Sequence, residues 1–92
     1  MELIWADSAE ADLFSIADHY AHENPDLPDK ILSRIAKAAL ILIDQPRLGT
    51  PIDIGLRKWR ARRTPFILLY RVSETQVEIA RVVHAAQDWR GQ

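Results

Sequence analysis

The chain has 92 residues, no cysteine and a net charge of −1. This length predicts a single domain over residues 1–92, the lack of cysteine excludes disulfides and thiolate-held metals, and the near-neutral charge argues against a general nucleic-acid binder. The longest apolar run, Ala38 to Ile43, is far shorter than the roughly 20 residues of a membrane span, and the acidic start does not resemble a signal peptide, so we expect a cytoplasmic protein with no membrane partner.

Charge is distributed unevenly along the chain. Residues 1–55 carry ten acidic and four basic side chains (−6), whereas residues 56–92 carry three acidic and eight basic ones (+5), which together give −1. Two interpretations stay open: a basic surface docks an acidic partner, or the two halves neutralise each other within the fold.

The first half of the chain predicts a strand and two helices. Leu3 to Ala6 is typical of a short strand, after which Asp7-Ser8 offers an N-cap for a helix over Ser8–His22. The apolar residues of this helix follow the helical period: Ala9, Leu13, Ile16 and Tyr20. The segment from Asn24 to Pro28 ends it.

A second helix begins near Pro28-Asp29 and ends at Gln45-Pro46, with an apolar stripe wide enough to lie on a sheet. Gly49 to Gly55 is predicted to be a loop. Because only about five residues join the two helices, they are expected to pack as an antiparallel hairpin.

After Gly55 the period of the sequence changes to two. Strands are predicted over Leu56–Arg63, Phe66–Val72 and Val77–Val83, and one or two helical turns over Ala85–Arg90. The resulting β-α-α-β-β-β order predicts an α+β fold in which the helical hairpin covers one face of a mainly antiparallel sheet. The other face would have no cover in the main body of the chain, and we expect function there.

Four segments of this chain resemble the RelE/ParE superfamily, and its ParE branch in particular. The first helix resembles A-x-x-D-L-x-x-I, beginning at Ala9. The loop resembles P-x-x-G before L-R at Pro46–Gly49 and Leu56-Arg57. The central strand resembles Y-R-V at Tyr70–Val72. The ending resembles V-x-I-x-R-V-x-H at Val77–His84 together with a terminal R-D, for which this chain has Asp88-Trp89.

The resemblance implies the toxin of a type II toxin–antitoxin pair, of the kind also described as plasmid stabilisation proteins. ParE-like members poison DNA gyrase by binding it, whereas RelE-like members cleave messenger RNA on the ribosome. Both are neutralised by an antitoxin, which typically joins a DNA-binding dimer, here expected to be of the ribbon-helix-helix type, to a C-terminal tail that wraps the toxin. A degenerate toxin that only binds its antitoxin is a third alternative.

The nuclease residues that the resemblance would imply are not found in this chain. RelE-like nucleases resemble one another in placing an arginine second in the central strand and basic residues just after the last strand. Here these positions hold Ile67 and the uncharged Ala85-Ala86-Gln87. We therefore expect no catalytic residue and no cofactor, with gyrase inhibition favoured; His84 would be the acid–base group under the nuclease alternative.

Three further groups have a structural interpretation beside a functional one. If Val77, Ile79 and Val83 face the helices, Arg81 faces them too, and Asp12 would then be its ion-pair partner; contact with a target is the alternative. His19 and His22 have a spacing that metals use, but no third ligand is spaced to join them, so we expect no metal. No face can be assigned to Arg71.

The segment Arg57-Lys58-Trp59-Arg60-Ala61-Arg62-Arg63 is the strongest functional feature of the sequence. Strand alternation would place Lys58, Arg60 and Arg62 on one face, where their repulsion is relieved by an acidic partner. We expect the antitoxin tail to contact Arg60, Arg62 and also Trp89 on the uncovered face, and no sequence-specific nucleic-acid binding by the toxin alone. A charged edge strand that only maintains solubility is the alternative.

Overall fold

The computed structural model describes residues 1–87, and its elements follow the predicted order with one addition. Two helices, α1 and α2, separate a first strand from four later ones. The bounds are β1 Glu2–Trp5, α1 Asp7–Ala21, α2 Leu27–Asp44, β2 Thr50–Pro51, β3 Arg57–Arg60, β4 Phe66–Val72 and β5 Gln76–His84. The short β2 lies in the segment predicted to be a loop, and a single 3₁₀ turn at Asp53–Gly55 separates it from β3.

The strands form one mixed sheet in the order β1-β5-β4-β3-β2. β3, β4 and β5 form an antiparallel meander, and β2 is antiparallel to β3, whereas β1 pairs in parallel with β5. Both helices contribute to the one large apolar cluster that also contains Leu68, Tyr70 and Ile79 of the sheet. The predicted α+β architecture is thus confirmed.

Residues at the start of α1 bond to main-chain carbonyls of β5 that β1 leaves unpaired. β1 pairs with β5 only as far as Ile79. Beyond that point the Ala6 amide donates to the Ile79 carbonyl, and the Ser8 hydroxyl donates to the Ala80 carbonyl at 2.7 Å. The predicted Asp7-Ser8 N-cap is wrong for this reason: Ala6 is the N-cap residue, α1 begins at Asp7, and the Ser8 side chain is used by the sheet.

The sheet face turned away from the helices is not bare. A second apolar cluster lies there, formed by Leu56, Leu69, Ala80 and Val83 with the partly buried Ile52 and Ile67. The residues after β2, which the sequence analysis assigned only to a loop, contribute Ile52 and Leu56 to it. The expectation of an uncovered face was wrong because that loop packs back onto the sheet.

A β-bulge resets the alternation of β5. Leu69 pairs with Arg81 but Tyr70 pairs with Ile79, so Ala80 is an extra residue. Val77 and Ile79 face the helices as predicted, whereas after the bulge Val82 packs in the main cluster and Val83 in the second one. The prediction that Val83 faces the helices was therefore wrong, and so was its consequence that Arg81 faces them, because Arg81 pairs with Leu69 of the second cluster.

The third predicted strand is shorter than expected. β3 ends at Arg60, and residues 61–65 form a tight turn into β4. The Thr64 amide and hydroxyl both donate to the Ala61 carbonyl, and Arg63 adopts a left-handed backbone with φ of 65°. At the other end, Ala85–Gln87 form a turn rather than the predicted helix; the remainder of that prediction, Asp88 to Arg90, lies outside the described residues.

Candidate functional site

The predicted partners Asp12 and Arg81 are in contact. The Arg81 guanidinium donates from Nε and Nη2 to the two Asp12 oxygens at 2.8 and 3.0 Å, and the Val82 amide donates to Asp12 Oδ2 at 2.8 Å. The hydrogen bond with Asp12, and its negative charge, raise the pKa of Arg81 against the opposing effect of burial. Asp12 therefore fastens α1 to the edge of β5, and this fastening accounts for both residues without a ligand.

A second network joins the loop after α2 to the centre of the sheet. The fully buried Tyr70 donates its hydroxyl proton to the Pro46 carbonyl at 2.7 Å and accepts from the Gly49 amide at 2.8 Å. Arg57 Nη1 donates to the Gly49 and Arg47 carbonyls. Gly49 has no room for a side chain, since an added Cβ would lie 2.5 Å from the Tyr70 hydroxyl oxygen and 2.7 Å from the Lys58 carbonyl oxygen.

These two networks contain seven of the residues on which the family resemblance was based: Asp12, Pro46, Gly49, Arg57, Tyr70, Arg81 and Val82. The Asp12 of the helix pattern meets the arginine of the last strand, and the loop pattern around Pro46 and Gly49 meets the tyrosine of the central strand. Their shared role is to hold the fold together. These seven residues therefore have a structural role that needs no partner.

The residues of the basic segment lie in three different places: on the sheet face away from the helices, on the helix side, and beyond the end of β3. Lys58 and Arg60 pair with Leu69 and Ile67, so they lie on the face away from the helices, together with Arg71, whose ion pair with Glu78 spans 3.2 Å. Trp59 lies on the helix side, where its indole N–H donates to the Ala38 carbonyl. Arg62 is not on the strand at all, because β3 has ended.

The turn that carries Arg62 helps to form a cationic groove along one edge of the molecule. One wall of this groove is α2, and the other is the end of β3 with the turn that follows it. The Arg34 guanidinium of α2 connects the two walls by donating a hydrogen bond to the Arg63 carbonyl at 3.2 Å. The groove has a volume of about 790 Å³, and Trp59 lines it together with five basic residues: Arg34, Lys37, Arg60, Arg62 and Arg63. No acidic residue of the described chain lines it.

Sequence reasoning found the strand side of this groove but missed its helix side. Arg34, Lys37 and Ile41 recur at intervals of three and four residues on α2, which places them on one face of the helix. This signal was present in the sequence. The sequence does not show that this face of α2 lies opposite the end of β3, because only the tertiary fold brings the two together.

His84 and Ile67 lie on opposite sides of the sheet. The His84 ring packs edge to face on Phe66 in the helix-side cluster, whereas Ile67 packs with the second cluster. His84 Nδ1 accepts a hydrogen bond from the Ala86 amide at 3.0 Å, so the neutral ring carries its proton on Nε2. The position of the missing arginine and the candidate acid–base group thus do not converge on one site.

The two histidines of α1 that have a metal-like spacing make contacts within the helix. His22 Nδ1 bonds to the Asp18 carbonyl, the His19 ring packs on Tyr20, and no cluster of three potential metal ligands occurs within residues 1–87. Among the described helices, none is long and apolar enough to cross a membrane. Trp89, predicted to contact a partner, lies outside the described residues.

Comparison with known proteins identifies the family. The sequence profile of the ParE toxin of the type II toxin–antitoxin system parDE matches residues 3–89. The chain belongs to the ParE toxin family. It is 33% identical over 86 residues to Y4kP of Sinorhizobium fredii, covering 92% of this chain and 88% of that protein. It is also 29% identical to Toxin RelE2 of Caulobacter vibrioides, with 94% and 97% coverage.

Solved structures place this ParE-family chain in the ParE/RelE superfamily. It is similar to a chain of the chromosomal ParDE toxin–antitoxin system from P. aeruginosa, with a TM-score of 0.82 and 30% identity over 91% of this chain and 95% of that one. It is also similar to a chain of the RelBE2 toxin–antitoxin complex from Mycobacterium tuberculosis, with a TM-score of 0.66 and 30% identity over 90% and 95%. The chain is thus a type II toxin of the ParE/RelE superfamily, and its relatives bear names from both branches.

Proposed function

We propose that this toxin acts by stoichiometric binding to DNA gyrase in the cytoplasm and carries out no chemistry of its own. The observation that carries the proposal is the match of residues 3–89 to the ParE family, combined with the separation of Ile67 and His84 on opposite faces of the sheet. Cleavage of RNA requires a base, an acid and a stabiliser of phosphorane charge within hydrogen-bond reach of one phosphate. Lys58 and Arg60 project from the face opposite to the His84 ring, so they do not complete such a set.

The alternative is a ribosome-dependent endoribonuclease of the RelE type. The relatives named RelE2 and RelBE2 favour it, at 29% and 30% identity. Under this alternative His84 would be the acid–base residue. A degenerate toxin that binds only its antitoxin is a third reading of the same fold.

Two assays on purified protein separate these functions. In the first, the toxin is titrated against a fixed concentration of gyrase in a supercoiling assay; a binding inhibitor produces an endpoint that scales with the gyrase concentration. In the second, the toxin is incubated with translating ribosomes, and 5′ ends of the messages are mapped. Inhibition without new 5′ ends supports the proposal. New codon-dependent ends that disappear on His84→Ala would establish the nuclease, and inactivity in both assays would favour the degenerate toxin.

The proposal includes a cognate antitoxin of the ribbon-helix-helix type, with a tail that contacts Lys58, Arg60, Arg62 and Trp89. It is supported by the similar solved structures, which are toxin–antitoxin systems or complexes, and by the exposure of Arg60 and Arg62. An acidic tail that folds on binding would pair with these arginines, each pair contributing about 1.5–3 kcal/mol when sheltered and less when wet. Arg60→Ala with Arg62→Ala should weaken antitoxin binding and flatten its salt dependence, with the melting temperature retained. Unchanged affinity and salt slope would move the docking site elsewhere.

A further inference from the structure

The cationic groove carries positive charge that the chain itself does not neutralise. Its five basic residues line one cavity, and none of them forms an ion pair within residues 1–87. Four of the five are arginines, whose planar guanidinium groups bind carboxylates through two parallel hydrogen bonds. Trp59, Ala38 and Ile41 line the same cavity and make part of it apolar. The groove therefore suits an occupant that presents carboxylates on both sides of an apolar side chain.

One surface of the same chain has this composition, and it lies on α1. Phe14 is 77% exposed on the side of the helix away from its buried residues. Glu10 and Asp18 lie four residues before and after it, and Asp7 lies seven residues before it, so helical spacing places the three carboxylates beside the Phe14 ring. All three acidic side chains are exposed, and none forms an ion pair within residues 1–87. We call these four residues the acidic face of α1.

The groove and the acidic face of α1 are comparable in length as well as opposite in charge. On the groove side, Arg34, Lys37 and Ile41 recur along one face of α2 and span about 10 Å at 1.5 Å per residue. The carboxylates from Asp7 to Asp18 span about 16 Å by the same measure. A helix that lays an apolar anchor and its flanking charges into a groove is a common way for a helical partner to bind.

We infer that the cationic groove of one chain receives the acidic face of α1 from a second copy of the same chain, with Phe14 on the apolar part of the groove and the carboxylates on its arginines. The inference concerns the free protein and does not depend on the target given in the proposed function. Because the two surfaces are different parts of the chain, the contact is head to tail, and two copies can exchange it reciprocally as a dimer. A nucleic-acid phosphate would match the basic side chains alone, whereas the acidic face of α1 matches both the basic and the apolar ones.

The test is analytical ultracentrifugation of the purified full chain over a range of protein and salt concentrations. The wild-type chain should self-associate, and added salt should weaken the association because charged groups contribute to it. The face variant is Glu10→Lys with Asp18→Lys, and the groove variant is Lys37→Glu with Arg62→Glu. Each should raise the dissociation constant at least about tenfold, and Phe14→Ser should raise it several-fold without a change in charge.

Matched controls make the same changes in net charge at exposed positions outside both surfaces. Asp53→Lys with Glu74→Lys is the control for the face variant, and Arg47→Glu with Arg71→Glu is the control for the groove variant. Both controls should self-associate within about twofold of the wild type, and equal losses in controls and variants would overturn the inference. Phe14→Ser replaces an exposed side chain and should melt within about 4 °C of the wild type, so it tests the contact even where a charge reversal impairs folding.

Mixing the two variants makes the test specific for a head-to-tail contact. The face variant retains an intact groove and the groove variant retains an intact acidic face, so an equimolar mixture should associate although neither variant does so alone. Adding Phe14→Ser to the groove variant keeps the charges in the mixture but removes the apolar anchor, and it should weaken this association several-fold.

Three results contradict the inference. The first is a mixture of the two variants that stays monomeric. The second is a wild-type chain that stays monomeric up to about 0.5 mM, a concentration at which even a weak specific contact is populated. The third is a labelled single-stranded oligonucleotide that binds the wild type in a manner dependent on Lys37 and Arg62 while the chain stays monomeric, which would assign the groove to nucleic acid.

Discussion

Replacing Tyr70 with phenylalanine removes one oxygen atom from the centre of the protein and leaves two main-chain groups without their partner. The hydroxyl bonds to the Pro46 carbonyl and the Gly49 amide at 2.7 and 2.8 Å, and the residue is fully buried. An unsatisfied buried group costs about 1–3 kcal/mol, so we expect a loss of roughly 2–4 kcal/mol in the free energy of unfolding. For a domain of this size that is a large share of the total, and the melting temperature should fall by about 10–20 °C.

The measurement is urea unfolding followed by circular dichroism, with Tyr20→Phe as the matched control. Tyr20 packs edge to face on Phe66 and its hydroxyl makes no hydrogen bond within residues 1–87, so its loss should change stability by less than about 0.5 kcal/mol. Gly49→Ala should destabilise by a similar amount to Tyr70→Phe, because the added Cβ displaces the Tyr70 ring or the Lys58 carbonyl. If Tyr70→Phe is as stable as Tyr20→Phe, the loop is not held by this hydroxyl and the reasoning is refuted.

The same residue predicts a pH effect of defined sign. Burial raises the pKa of Tyr70 above its ordinary value of 10.0, against the smaller opposing effects of the Gly49 hydrogen bond and the Arg57 charge. Above pH 10 the unfolded chain therefore loses this proton before the folded chain does, and the wild-type protein loses stability as the pH rises further. Below that pH the contribution is constant. The Tyr70→Phe variant should lack this component of the alkaline decline.

Two further predictions concern the fold. Asp12→Ala should lower the free energy of unfolding by about 2–3 kcal/mol, because it leaves both the Val82 amide and the Arg81 guanidinium without their hydrogen-bond acceptor. Arg81→Ala should lower it by under about 1 kcal/mol, because the Arg81 side chain is 41% exposed whereas that of Asp12 is 17% exposed. Equal losses of stability in urea unfolding would contradict this asymmetry. Ile54 is 77% exposed and has a left-handed backbone with φ of 69°, which is unfavourable for a β-branched side chain. Ile54→Asn should raise the stability by about 1 kcal/mol, and a decrease would show that the Ile54 side chain makes a stabilising contact.

The elements of this fold could be predicted from periodicity, but the points at which the chain departs from ideal geometry could not. The contact between Asp12 and Arg81 was predicted from the side-chain alternation of the last strand, and it is present although the bulge breaks that alternation before Arg81. The bulge at Ala80 has no sequence signature, since alanine fits either face, and it moved Val83 to the other side of the sheet. The turn after Arg60 was equally hidden, because the left-handed position is occupied by Arg63 rather than by glycine.

The candidate site depended on these departures. Had β3 continued to Arg63, Lys58, Arg60 and Arg62 would have shared one sheet face, as the alternation predicted. Because β3 ends early, Arg62 and Arg63 turn toward Arg34 and Lys37, which lie more than twenty residues earlier in the chain. The basic side chains were identifiable from the sequence, whereas the surface they form required the helix and the turn to be placed together.

The last prediction tests whether restoring the missing arginine would make this toxin a nuclease. Ile67 pairs with Val83 and packs on the face away from the helices, while His84 pairs with Phe66 and packs on its ring in the helix-side cluster. An arginine at position 67 would therefore project from the side of the sheet opposite to His84. Since acid–base and charge-stabilising groups must reach the same phosphate, Ile67→Arg should gain no cleavage of messages on translating ribosomes.

The experiment maps 5′ ends of ribosome-bound messages for wild type, Ile67→Arg and Ile67→Met. The methionine variant retains an apolar side chain of similar volume, so it separates loss of packing in the second cluster from the effect of charge. We expect both variants to remain folded, with Ile67→Arg less stable than Ile67→Met, and neither to produce new ends. Codon-dependent ends with Ile67→Arg that are abolished by adding His84→Ala would show that the two positions do reach one phosphate. The side chains at positions 67 and 84 would then have to reach the same side of the sheet in the complex with the ribosome. In that case a single side chain would decide whether this chain is a binding inhibitor or a nuclease.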